Sequence, residues 1–250
     1  LTNMMNGQVY ERLVMRDKSL NIVPQLALSW QQTSPTRWRF KLRPGVKFHD
    51  GTPFTADDVV FSVERARQPS SQIAGYATAL GEVKKIDATT VDFIQKDPNP
   101  IFLHHLDLIY IMSKAWCEAH KVTKPQSFKD KEETFAAMNA NGTGPYQRVN
   151  RQPGIKTTYK RNPTWWGKFE GNVQEIVFNQ ISNDATRLAA LVSGVACGLA
   201  VEALDGDDPS TAALKEPEIE AETRPWWVRV FHNGFIVLPR SVGGALVFGS

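Results

Sequence analysis

KLRPGVKFHDGTPFTADDVVFSVER, residues 41–65, is the stretch that decides how this chain is read. Arg39, Lys41 and Arg43 alternate with Phe40 and Leu42, the period-2 pattern of a half-buried strand. Pro44-Gly45 interrupts it, residues 46–48 resume the strand, and His49-Asp50-Gly51 turns again. Thr55 stands where a helix needs an N-cap, its hydroxyl placed to accept a backbone N–H. Asp58 follows three residues on, where a capping box prefers Glu or Gln. Val59, Val60, Val63 and Ala66 recur at helical spacing and predict one apolar face over 55–67. The stretch builds scaffold and carries no catalytic chemistry.

Working outward, residues 38–42 and 46–48 read as a hairpin-like pair. Residues 83–86 and 91–95 read as strands joined by Asp87-Ala88-Thr89-Thr90. Short helices are predicted at 102–106 and 114–120, and an amphipathic one at 129–139. Residues 146–149 and 156–159 read as a hairpin, 175–180 as a strand and 184–193 as a helix. Strands and helices mix without strict βαβ alternation, which predicts an α/β class with a mixed sheet.

With 250 residues, 42% hydrophobic and 22% charged, the chain is long enough for a good core in one or two domains. A net charge of +3 with interspersed signs gives no reason to expect nucleic acid. No run approaches the ~20 apolar residues of a membrane span. No basic and apolar leader precedes Leu1-Thr2-Asn3-Met4, so no signal peptide is visible. Cys117 and Cys197 are the two cysteines, and their spacing leaves open whether they pair.

Motifs for chemistry fail on their own terms. His104 and His105 are adjacent, so a helix would point them about 100° apart, unlike the i, i+4 spacing of a zinc helix. Asp205, Asp207 and Asp208 miss the spacing of a calcium loop. Gly142 and Gly144 are followed by Pro145-Tyr146 and not by the Lys-Ser/Thr of a phosphate loop. The expectation is no enzyme, no metal and no cofactor. The pairs Trp165-Trp166 and Trp226-Trp227 suit core packing and cleft lining equally.

The ordered motifs resemble one family. Besides 41–65, they are VYERLV at 9–14, VPQLALSW at 23–30, GTGPY at 142–146, RNPTWWG at 161–167, DATR at 184–187 and LVSG at 191–194. They resemble the family 5 solute-binding proteins of ABC importers, the extracytoplasmic receptors for oligopeptides, dipeptides and nickel chelates. The resemblance implies a periplasmic binding protein type II-like lobe that closes on a solute like a flytrap. It also implies a permease as partner, with a small solute, oligopeptide or dipeptide, as cargo. The implied location is periplasmic, or extracytoplasmic and membrane-associated.

The resemblance also implies site residues. Asn3 and Met4, just before the VYE element, would line the solute cleft. Tyr76 would stack on the solute, and Tyr110 would stack or hydrogen-bond. The implied domains are a main lobe at 1–40 and 145–233, an inserted subdomain at 41–144, and a non-matching tail at 234–250. Asn233 resembles the residue closing a crossing strand, and the family is roughly twice this length. The expectation is therefore an N-terminal half. The alternative is a truncated half-receptor that acts by oligomerising or binding a partner.

Overall fold

The structure is a computed structural model that describes residues 2–127, 132–169, 171–181, 183, 185–187, 235–238 and 245–248. It divides into two compact units. One comprises Thr2–Gln147 and Asn162–Lys168, the other Arg148–Arg161 and Phe169–Ser250.

The first unit opens with helix α1 (Thr2–Val9) and a two-stranded antiparallel ribbon of β1 (Val14–Arg16) and β2 (Ile22–Pro24). Strands β3 (Ala27–Ser34), β4 (Arg37–Leu42), β5 (Glu82–Asp87) and β6 (Thr90–Ile94) form an antiparallel sheet in the order β3-β4-β6-β5. The alternation expected for β4 holds: Phe40 and Leu42 are buried, while Arg39 and Lys41 face outward. Phe40, Phe93 and Phe102 make the centre of the core, with tilted and edge-on rings 5.3–6.1 Å apart, the favoured aromatic geometry.

Helix α2 (Ala56–Ala66) buries Ala56, Val59, Val63 and Ala66 on the side packed against β5 and β6. Each buried valine contributes about 1.5–3 kcal/mol. Its N-terminus carries the expected capping box of Thr55 and Asp58. The Thr55 hydroxyl donates to the Asp58 carboxylate at 3.2 Å, and the same carboxylate oxygen accepts the Thr55 backbone N–H at 2.9 Å. Asp58 also accepts the Lys114 N–H at 2.9 Å, tying α2 to a later helix.

Four shorter helices follow: α3 (Ala74–Ala79), α4 (Phe102–Leu106), α5 (Lys114–Ala119) and α6 (Phe135–Met138). Two corrections to the sequence reading arise here. Residues 46–48 do not pair with β4, whose neighbours are β3 and β6. Gly45 turns at φ +76° and sends 46–48 away, so that Lys47 bridges Pro53 instead. The helix predicted over 129–139 is helical only at Phe135–Met138 among the described residues.

The second unit holds most of β7 (Tyr146–Gln152), with β8 (Lys156–Arg161), β9 (Glu175–Asn179), β10 (Phe235–Leu238) and β11 (Ala245–Phe248). Their order is β10-β11-β9-β8-β7. Strand β11 runs parallel to β9, whereas β8–β9 and β10–β11 are antiparallel. The sheet is thus mixed, as expected. Cross-strand pairs Thr157–Phe178 and Tyr159–Ile176 bury one face of β8 and β9.

The contacts divide at 147/148, and β4 runs straight through the 40/41 boundary expected from the sequence. Two strands lie in the segment expected as a tail. Residues 185–187 are helical, and 188–193, Cys197, Asp205–Asp208, Trp226, Trp227 and Asn233 lie outside the described residues.

Candidate functional site

Residues of VYERLV, VPQLALSW, the 41–65 stretch, GTGPY and RNPTWWG meet in one place within the first unit. Glu11, 1% exposed, accepts two indole N–H groups. Trp165 donates to Oε1 at 3.2 Å and Trp166 to Oε2 at 2.7 Å. The Arg43 guanidinium lies 4.2 Å from the Trp166 ring centroid, a cation–π contact, and its Nε donates to the Gln25 carbonyl at 3.1 Å. Burial pushes the Glu11 carboxyl up to about 6, against the pull of the Trp166 hydrogen bond and the weaker effects of Thr143, Trp165 and Arg43.

The GTGPY turn docks on the same element. Gly144 donates its N–H to the Val9 carbonyl at 2.8 Å. A Cβ at Gly142 would sit 1.9 Å from that carbonyl oxygen, so only glycine allows this approach. His49 reads the turn from the other side. Its Nε2 is 3.0 Å from the Gly144 carbonyl and its Nδ1 is 3.4 Å from the Gly142 N–H. That pattern requires a neutral ring with the proton on Nε2, and burial lowers the His49 pKa accordingly. Asn141 and Asp50 exchange two further bonds of 2.7 and 3.2 Å. Asn162 donates to the Gly144 carbonyl at 3.2 Å, while its own Oδ1 accepts from Thr164 N and Oγ1. These polar groups satisfy one another, so the motifs form a structural hub. Trp165 and Trp166 both hydrogen-bond to Glu11 and both remain half-buried.

The expected site residues fall in different neighbourhoods. Tyr110 faces Arg12 across an isolated antiparallel bridge. The Arg12 Nη2 donates to the Tyr110 hydroxyl at 2.5 Å, and the guanidinium carbon lies 4.4 Å from the Tyr110 ring centroid. Asp107, 4% exposed, accepts from Arg12 Nη1 at 2.9 Å and pairs with Arg16 Nε at 3.0 Å. Two guanidinium groups on one carboxylate leave a formal surplus of one positive charge. A Cβ on Gly7 would meet the Tyr110 hydroxyl at 3.5 Å, so this face of α1 looks onto Tyr110. Asn3 and Met4 belong to the same helix; their side chains lie outside what the structure describes.

Tyr76 sits on α3, 48% exposed, its ring 5.5 Å from His105 of α4. His105 in turn meets the Asn99 amide at 3.3 Å. A recess of about 490 Å³ lies nearby, lined by residues such as Thr78, Gln95 and Asn99, and neither Tyr76 nor Tyr110 lines it. Among the described residues, no three His, Cys, Asp or Glu side chains gather as a metal site. Cys117 is buried, which pushes its thiol up to about 11. No helix among the described residues is long and apolar enough to cross a membrane. Sequence reading missed Arg12, Arg16 and Asp107, whose only signal is the alternation of Glu11 and Arg12 across one strand-like segment.

The chain is similar to known proteins over most of its length. The family model of bacterial extracellular solute-binding proteins, family 5 Middle, matches residues 21–230. The chain is 31% identical over 207 residues to the dipeptide-binding protein of Escherichia coli, covering 73% of this chain and 37% of that protein. It is 27% identical over 191 residues to the nickel-binding periplasmic protein of Escherichia coli, covering 75% and 35%. Among solved structures, the periplasmic binding protein DppA of Helicobacter pylori, in complex with peptide STSA, superposes with a TM-score of 0.64. The identity there is 26%, with coverage of 76% of this chain and 40% of that one. The chain therefore spans well under half the length of these relatives, and it belongs to the bacterial extracellular solute-binding proteins of family 5.

Proposed function

We propose that the chain is part of the solute receptor of an ABC importer, working outside the cytoplasmic membrane and delivering a peptide or similar small solute to a permease. The observation that carries this reading is the Tyr110 wall. An aromatic side chain is held by Arg12 beside Gly7 of α1, the helix in which Asn3 and Met4 lie. Aromatic walls with a few fixed polar groups are what small-molecule sites are made of. The surplus positive charge of Arg12, Arg16 and Asp107 suits a solute with a carboxylate, as every peptide has. Relatives named for dipeptides, oligopeptides and peptide transport point the same way. Tyr76 is assigned as a separate stacking platform.

The test is calorimetry of the purified chain with trialanine, with nickel–histidine and heme as comparison solutes, at high ligand concentration. High concentration is needed because this span of chain supplies part of a binding surface, and affinity rises with burial from all sides. Trialanine should bind, and Tyr110→Ala should weaken it by about tenfold. Binding of nickel–histidine or heme alone would change the solute class. A stable dimer by light scattering, with affinity for none of the three, would favour the oligomerising half-receptor instead.

A further inference from the structure

We infer that Arg12 is the positioning residue for Tyr110, and that it acts only while Asp107 holds it. The inference deepens the solute reading of Tyr110 and its functional part rests on that reading. A guanidinium is planar, and its donors sit in a fixed fork. Asp107 pins one tine of that fork through Nη1 at 2.9 Å, which fixes where Nη2 lies, 2.5 Å from the Tyr110 hydroxyl. The same plane covers the ring, with the guanidinium carbon 4.4 Å from its centroid. Backbone geometry already places the two residues opposite each other in a bridge. One side chain thus restrains both the tip and the face of the phenol.

Asp107 is suited to be the anchor. It is buried, and each oxygen has its own cation, Arg12 on Oδ1 and Arg16 on Oδ2. A buried carboxylate stripped of its partners is costly, so the pairing stays made and Arg12 stays in place. A phenol already restrained in the free protein gives up less freedom when a solute stacks on it, which strengthens binding without adding a contact. Lysine keeps the charge and lacks the fork. Arg12→Lys therefore separates positioning from simple electrostatics.

The experiment labels the chain with 3-fluorotyrosine and follows the five tyrosines by ¹⁹F NMR, with Tyr110→Phe assigning the resonance. Arg12→Lys and, independently, Asp107→Asn should each move and reshape the Tyr110 resonance and leave that of Tyr76 in place. A Tyr110 resonance unchanged in either folded variant would overturn the inference. Arg16→Gln serves as a milder third variant should one of these fail to fold. The second arm is a double-mutant cycle with trialanine. Arg12→Lys should weaken binding roughly tenfold, the worth of one charge-assisted hydrogen bond, and have no further effect in a Tyr110→Ala background. Equal losses in both backgrounds would mean that Arg12 acts directly, which also overturns it. If trialanine binds no form of the chain, the solute reading fails, and the NMR arm alone decides whether Arg12 positions Tyr110.

Discussion

Glu11 and Arg12 are neighbours in the chain and opposite in use. Glu11 turns inward, buried, where two indoles close on its carboxylate. Arg12 turns the other way, onto Asp107 and the Tyr110 ring, with its side chain partly open. Strand-like backbone sends successive side chains to opposite faces, so one segment can serve a scaffold and a recognition surface together. The motifs that identify a family need not be the residues that meet its cargo. Here Gly142, Gly144, Asn162, Trp165 and Trp166 gather on the Glu11 side.

The largest effect should come from breaking that side at its tightest contact. Gly142→Ala forces a Cβ to within 1.9 Å of the Val9 carbonyl oxygen, and the atom it meets is backbone, which cannot swing away. The turn would have to withdraw, losing the His49 N–H bond to the Gly142 carbonyl and disturbing its neighbour Gly144. Destabilisation above about 4 kcal/mol is expected, seen as loss of the cooperative urea transition. A variant that unfolds with parent-like stability would show the hub to be pliable, and the contrast with Arg12 would collapse.

Glu11→Gln should cost less and carry a pH signature. The folded carboxyl is raised from 4.5 to about 6, so the fold takes up a proton more readily than the unfolded chain does. Its contribution is fully present below about 4.5 and is lost as pH rises through 6, an amount of about 2 kcal/mol. His49 works in the opposite sense. Burial lowers its pKa, so its contribution is present above the ordinary value of 6.5 and is lost as pH falls through the lowered one. Stability of the parent minus that of Glu11→Gln, measured by urea unfolding from pH 4 to 7, should therefore decline with pH. A flat difference would mean that Glu11 is not the buried acid described.

Much of the local structure was legible in the sequence. The alternation at 39–43 and the helical spacing at 59–66 reappear as β4 and α2, because both report which face is apolar. What stayed hidden was partnership. Trp165 and Glu11 are 154 positions apart, and Arg12 and Asp107 are 95 apart; no periodicity links such residues. The mispairing of 46–48 with β4 has a similar cause. A Pro-Gly turn signals a change of direction, and it does not say whether the chain returns to the strand it left. The four expected solute residues were placed by resemblance alone. The structure sets Tyr110 beside Gly7 of α1 and Tyr76 against His105.

Gly45→Ala sharpens the contrast by holding the chemical change constant. Gly45 lies in the stretch that first suggested the fold, yet nothing stands within 4 Å of its would-be Cβ. The cost is only that of holding an L-residue at φ +76°, about 1 kcal/mol. Thermal unfolding should thus rank Gly142→Ala far above Gly45→Ala. Equal losses would mean that the close approach to Val9 is not what makes Gly142 necessary.

Tyr76→Ala should have the smallest effect on the fold. The ring is about half exposed, and its one described ring contact is with His105. Surface substitutions away from caps and buried networks stay within about 0.5 kcal/mol. Its effect on trialanine affinity should be smaller than that of Tyr110→Ala, because no fixed cation restrains Tyr76 in the way Arg12 restrains Tyr110, and a mobile ring gives back in ordering what it gains in stacking. Measuring both variants by calorimetry tests the division directly. If Tyr76→Ala loses as much affinity as Tyr110→Ala while the fold is untouched, the two neighbourhoods act as one wall, and restraint by Arg12 is not what distinguishes them.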